Sequence, residues 1–280
     1  MKLKVAFNIK QKPYKQMRKV LYLFAVSAIV YSCGNKDISA TYVPRPLTVT
    51  EKFNESAEPG DTALRIVKYK GDEKEASDAK EAFSIKFRDT LVNIKISESD
   101  SAGGIGKFAF AQFVNTQKTA ILAQIADNSG LTAPFFIIAL KEGKLDVASL
   151  YRASNGKLDT KYTKGVNQVG RNGYVINNDF FVANVNAKVY VLKRQNPDER
   201  IQGEFITNSP DKTTLAFLTP TSLYQVNYVA NEALNVPLNK DAINDAYRYI
   251  QQNFTWQEAK GGIYFMKPGG DKIVDISSFR

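Results

Sequence analysis

The chain has 280 residues, a formal net charge of +10, one cysteine and no histidine. The missing imidazole excludes Ser-His-Asp and Cys-His catalysis, histidine general bases and histidine-bearing zinc sites. The single thiol excludes an internal disulfide, and any bound metal would have to be a hard ion held by oxygens.

The N-terminal region reads as an export signal. Lys2, Lys4, Lys10, Lys12, Lys15, Arg18 and Lys19 come without an acid, and residues 20–31 (VLYLFAVSAIVY) then run without a charge. A dozen apolar residues fall short of the roughly 20 that a helix needs to cross a bilayer core. Met17, directly before Arg18-Lys19, would make a more compact start. The run ends in Val30-Tyr31-Ser32-Cys33-Gly34. This resembles the lipobox of bacterial lipoproteins, with an aliphatic residue, a small residue and then the modified cysteine. The resemblance implies cleavage before Cys33, a diacylglyceryl thioether on its sulfur and an amide-linked acyl chain such as palmitate. Two or more chains hold a protein stably at a membrane where one does not. Gly34 in place of aspartate after the cysteine is similar to lipoproteins sorted to the outer membrane.

Residues 1–32 are thus expected to be a signal peptide, 33–62 a lipidated cysteine and flexible tether broken by Pro44, Pro46 and Pro59, and 63–280 one β-rich domain. Removing the signal also removes seven basic residues, leaving 31 Lys and Arg against 28 Asp and Glu. Those charges are interspersed, so the composition gives no support to nucleic-acid binding.

A mixed-charge stretch at 72–81 (DEKEASDAKE) reads as a solvated loop. Beyond it the hydrophobic period becomes two, as a half-buried strand requires, at 82–88 (AFSIKFR) and 91–97 (LVNIKIS). Gly103 to Lys107 (GGIGK) lacks the Ser or Thr and the helix of a phosphate loop, and reads as a glycine connection. Further strands are expected at 108–114, 119–126, 135–141, 145–152, 174–176, 180–184, 188–193, 200–207, 214–218 and 223–229, with a shorter run at 47–53. Glu142-Gly143, Asn155-Gly156 and Asn172-Gly173 are hairpin signals. Two Asx-rich loops, 127–130 and 177–179, offer oxygens to calcium but lack the ligand spacing of an EF-hand and read as ordinary turns. Residues 239–254 place Ile243, Ala246, Tyr247, Ile250 and Phe254 at helical spacing, with Asn239 or Asp241 as cap. A closing hairpin is expected from 263–267 and 272–277 across Pro268-Gly269-Gly270. The fold class is therefore mainly β, an antiparallel sandwich of jelly-roll type with one amphipathic C-terminal helix on the sheet. No repeat of fixed period is visible, which disfavours a propeller or solenoid.

Two site hypotheses follow. Tyr151, Tyr162, Tyr174 and Tyr190, with Tyr224 and Tyr228, could line a sugar-stacking face, because such rings are amphipathic. Separately, Gln124-Ile125-Ala126 and Tyr264-Phe265 resemble the two motif strands of jelly-roll alginate lyases. That family's glutamine and tyrosine would correspond to Gln124 and Tyr264, and Arg152 could neutralise a uronate. Ala126 stands where the family has histidine, and Met266-Lys267-Pro268 replaces the rest of the second motif. The resemblance therefore implies the jelly-roll shape and not the activity. The expected function is a non-enzymatic, membrane-anchored domain that binds a saccharide or an envelope protein, without a cofactor. The alternatives are a histidine-free lyase or hydrolase and a structural component of an envelope assembly that pairs through a sheet edge.

Overall fold

The computed structural model describes residues 38–55, 63–68, 82–96, 104–126, 133–155, 164–171, 173–239 and 245–269. The protein is mainly β, built from antiparallel sheets packed face to face, with one short C-terminal helix among the described residues. Cys33, the apolar run before it, Tyr162, the 72–81 stretch, the 127–130 loop and the 272–277 strand lie outside the described residues.

The first described segment departs from the expected tether. Residues 39–55 instead supply β1 (Ser39–Tyr42), β2 (Arg45–Pro46) and β3 (Glu51–Lys52). Next come β4 (Leu64–Lys68), β5 (Phe83–Phe87), β6 (Thr90–Ile94), β7 (Phe108–Phe113), β8 (Ala120–Ile125), β9 (Phe135–Lys141) and β10 (Lys144–Ser149). With β1 at one edge and β2 at the other, these strands form a nine-stranded sheet. A five-stranded sheet follows from β11 (Val166–Val169), β12 (Gly173–Ile176), β13 (Phe180–Ala183) and β14 (Lys188–Val191), with β3 on its edge. The four-stranded sheet is β15 (Glu204–Asn208), β16 (Thr214–Leu218), β17 (Ser222–Asn227) and β18 (Glu232–Pro237). Helix α1 (Ala246–Asn253) then leads into the hairpin β19 (Thr255–Ala259) and β20 (Gly262–Met266).

Residues 39–55 thus form a strap across three groups of strands. β1 lies parallel to β6, β2 parallel to the outer strand β10, and β3 antiparallel to the outer strand β14. The strap covers main-chain edges that would otherwise invite other strands. Between β2 and β3, Leu47 is 1 % exposed, and Phe53 just beyond is 5 % exposed, both inside the core between the nine- and five-stranded sheets. Arg45 fastens the strap from outside, bonding Asp146 of β10 at 2.6 Å and Glu51 of β3 at 2.8 Å. Bonding to Asp146 first of all raises the Arg45 pKa.

The sheets are layered in series, and the pleat explains why. Alternate residues of β8 point opposite ways: Ile121, Ala123 and Ile125 meet Leu64, Ile85 and Val92, whereas Ala120 and Leu122 face Ile176, Phe180 and Val182 of the five-stranded sheet. The other face of that sheet, with Val175 and Phe181, packs on Leu215, Phe217 and Val226 of the four-stranded sheet. That sheet in turn packs through Ala216 and Leu223 on Ile250 within α1 and Phe254 just beyond it, and on Trp256 and Phe265. Sheets covered on both sides need apolar residues at consecutive positions, which is why β9 is buried from Phe135 to Leu140.

Inside the five- and four-stranded sheets, chain neighbours of β11 to β14 and of β15 to β18 are also sheet neighbours. Strands β10, β14 and β18 close their meanders from residues 144, 188 and 232. Such up-and-down layers are common to sandwiches and propeller blades. The units therefore repeat in space, and these closing strands begin at equal intervals that the residue pattern itself does not reveal.

The helix is shorter than the expected 239–254 within the described residues. Asp245 is its cap, accepting from Arg248 N at 3.4 Å, in place of Asn239 or Asp241. Ile250 is buried as expected, but Tyr247 is 50 % exposed and turned away from the apolar face. β20 pairs with β19, a strand the sequence pattern did not signal, across a turn whose Gly261 has φ +95.

Gly173 allows close layering. A Cβ there would stand 2.4 Å from the Phe181 ring and 2.9 Å from the Val182 carbonyl oxygen. Gly173→Ala is expected to cost about 1–3 kcal/mol through overpacking, measured by urea unfolding.

Candidate functional site

The densest polar cluster in the described chain is organised by the turn between β12 and β13. Asn177 and Asn178 both take positive φ, +52 and +53. Such a pair makes a tight hairpin turn, and asparagine tolerates it because its side chain can bond nearby backbone. Asp179 N donates to Ile176 O at 3.0 Å to close it. The turn reaches both ways along the chain. Asn177 Nδ2 donates to Leu150 O at 3.3 Å, and its Oδ1 accepts from Gly165 N at 3.2 Å, which fixes the connection from β10 to β11. Asn178 Nδ2 donates to Ile201 O at 3.1 Å and Gly203 O at 2.7 Å, which fixes the connection from β14 to β15.

Asp179, 0 % exposed, is the centre of the knot. Arg194 binds it side-on, Nε to Oδ1 at 2.8 Å and Nη2 to Oδ2 at 3.0 Å. Arg152 Nη2 reaches Oδ1 at 2.8 Å, and Arg200 Nε reaches Oδ2 at 3.3 Å. Arg194 also donates through Nη1 to Ala153 O and Pro197 O and through Nη2 to Arg152 O. Its role is to hold two loops together. Tyr224, reaching in from β17, donates its hydroxyl to Lys193 O at 3.0 Å. Asn177 Oδ1 is thus engaged by an amide and both Asp179 oxygens by guanidiniums, which makes the loop a structural turn. Among the described residues no group of three or more acids, cysteines or histidines comes together.

Arg152 differs from Arg194. Its side chain is 24 % exposed. Both donors of Nη2 are used, by Asp179 and by Leu192 O at 2.9 Å. Among the described residues Nε is buried with no hydrogen-bond partner, while Nη1 makes no hydrogen bond and is not buried. A guanidinium held by two fixed acceptors therefore turns one nitrogen outward.

The two sequence hypotheses are placed differently. Gln124 lies on β8 in the nine-stranded sheet, where its Nε2 donates to Ala133 O at 3.4 Å. Tyr264 lies on β20 and is 3 % exposed. The five- and four-stranded sheets lie between those two strands in the layer series, so Gln124, Arg152 and Tyr264 do not converge on one sugar. Burial, with the charge of Glu232, also raises the Tyr264 pKa, opposite to what a tyrosine proton acceptor needs.

The tyrosines do not share a face either. Tyr174 lies between the nine- and five-stranded sheets, edge-on to Phe110, its hydroxyl donating to Gln112 Oε1 at 2.5 Å. Tyr190 lies on the opposite face of the five-stranded sheet, against Phe181 and Tyr228, with the Lys188 ammonium 4.4 Å from its ring centroid. Tyr224 and Tyr228 are core residues. Tyr151, half-buried, comes just before Arg152 in the connection from β10 to β11.

These buried phenols predict alkaline unfolding. Desolvation raises the pKa of Tyr174, Tyr224, Tyr228 and Tyr264 above the ordinary 10.0. The folded state then keeps protons that the unfolded chain releases, so the stability they contribute is complete below pH 10 and is lost as pH rises beyond it. Urea midpoints should fall above pH 10, with tyrosinate absorbance appearing together with unfolding. Ionisation of all tyrosines near their ordinary pKa in the folded protein would refute this.

No family model, no curated protein and no solved structure matches the chain. No helix among the described residues is long and apolar enough to cross a membrane, which says nothing of strands.

Proposed function

We propose that the protein is a ligand-binding lipoprotein of the bacterial cell envelope, fastened to the outer membrane through lipid on Cys33. Its β-sheet layers would present a loop-borne site to a saccharide or an envelope protein. The basic and then apolar N-terminal run, ending in Ser32-Cys33-Gly34, supports the location. The observation that carries the binding reading is the Asp179 knot. It ties the connections on either side of the five-stranded sheet into one rigid platform and leaves the outward nitrogen of Arg152 on it. Rigid elements that hold a few placed polar groups are what recognition requires.

The test has two parts. Mass spectrometry of the mature terminus should find a diacylglyceryl and acyl-modified Cys33 in the membrane fraction. Immobilised full-length protein in detergent should retain a glycan or envelope protein from the same cells. An unmodified terminus in the soluble fraction would remove the location. Retention of nothing at millimolar glycan, or from membrane extracts, would remove the binding role.

A further inference from the structure

We infer that Arg152 is the contact for an oxyanion, a carboxylate or phosphoryl group carried by the ligand. This rests on the binding role proposed above and adds the chemical class. The argument starts from charge. Arg194 already meets both oxygens of Asp179 in a side-on pair, the geometry that satisfies a carboxylate most fully. Arg152 adds its positive charge to the same carboxylate, and among the described residues its ion pair is with Asp179 alone. Arg200 joins them, so three guanidiniums meet the one carboxylate of Asp179, two of them on side chains only 5 % and 4 % exposed. A partly buried surplus charge is costly unless an opposite charge reaches it.

Geometry says where that charge can arrive. Nη2 is spent on Asp179 Oδ1 and Leu192 O, and Nε is enclosed, so an incoming oxygen meets Nη1. The guanidinium is held before any ligand comes, so little side-chain entropy remains to be lost on binding. A planar, preorganised charged donor suits an acidic group and offers nothing particular to a neutral sugar.

The experiment uses full-length protein in detergent, titrated with inorganic phosphate, with sodium glucuronate and with sodium chloride at matched ionic strength. Thermal midpoint and calorimetric affinity are recorded for wild type, Arg152→Gln, Arg152→Lys and the control Lys144→Gln. Phosphate or glucuronate should raise the wild-type midpoint beyond the chloride effect, and the better of the two identifies the group as phosphoryl or carboxylate. R152Q should weaken that binding roughly tenfold or more, as loss of a charge-assisted hydrogen bond implies. R152K should keep part of it, and K144Q all of it. Because R152Q also loosens the knot, affinities are compared below each variant's own unfolding transition. The inference is overturned if neither oxyanion exceeds chloride, or if R152Q binds as well as wild type. Either result leaves the envelope-binding role standing on its own test, since a neutral ligand could still be retained.

Discussion

Asp179→Asn is expected to destabilise the protein by about 3–5 kcal/mol, the range for removing one partner of a buried ion pair. The substitution keeps the shape and removes the charge. Arg194, 5 % exposed, and Arg200, 4 % exposed, would then face an amide that can accept on one side only. Its NH2 would point at a guanidinium. The turn would lose its hold on both loops, because Arg194 positions Ala153 O, Pro197 O and Arg152 O only while it is itself held. Since single domains have only about 5–15 kcal/mol in total, much of the D179N protein should be unfolded or degraded in cells. Urea unfolding of the purified variant measures the loss. Combining D179N with Arg194→Met should cost less than the sum of the two single changes, because the double variant no longer strands that guanidinium. A loss under 1 kcal/mol for D179N would mean that the knot does not organise the loops.

The second large effect belongs to the strap. Leu47→Ala should cost about 2–5 kcal/mol and Phe53→Ala about 3–5 kcal/mol, the ranges for truncating buried aliphatic and aromatic side chains. Both side chains fill the core that Leu122, Phe135, Ile176 and Phe180 share. The paired variant should show less than the sum, because the two residues line the same space. A mobile tether would predict almost no change for either substitution, so the urea midpoint separates the two descriptions. The dependence of free energy on urea should keep its slope if only stability has changed.

How much of this was legible in sequence depends on what sets each strand. β5 to β10, β12 to β14, β16, β17 and β20 were visible because apolar alternation, or a short apolar run between turn signals, reflects burial of the strand's own side chains. β3, though only two residues long, falls inside the 47–53 run that the sequence signals, whereas β1 and β2, two to four residues long and exposed or half-exposed, exist because another strand offers its edge. Nothing in Arg45-Pro46 announces that. The same holds for β11, with three of its four residues exposed, and for β19. Tyrosine placement failed for a related reason. Alternation says which residues share a face, not whether another sheet covers it, and both faces of the five-stranded sheet are covered. At the site, Asn177-Asn178-Asp179 reads as a polar turn, and Arg152 reads as a cation for a uronate carboxylate, but not as a partner of Asp179. Arg194 and Arg200 carried no local signal, since their partner lies 15 and 21 residues away and on another element.

The strap also bears on how the molecule assembles in time. Its pairings are among the most distant in the chain: Arg45 meets Asp146 across 101 residues, and Val191 N reaches Thr50 across 141. Made from the N-terminus onward, the strap emerges early and then waits for β10 and β14 to appear. Such late, long-range closure is slow, and it leaves two sheet margins bare in the interval. Those margins are where a nascent copy would cross-pair with its neighbours, so fastening the strap guards against aggregation as well as completing the fold.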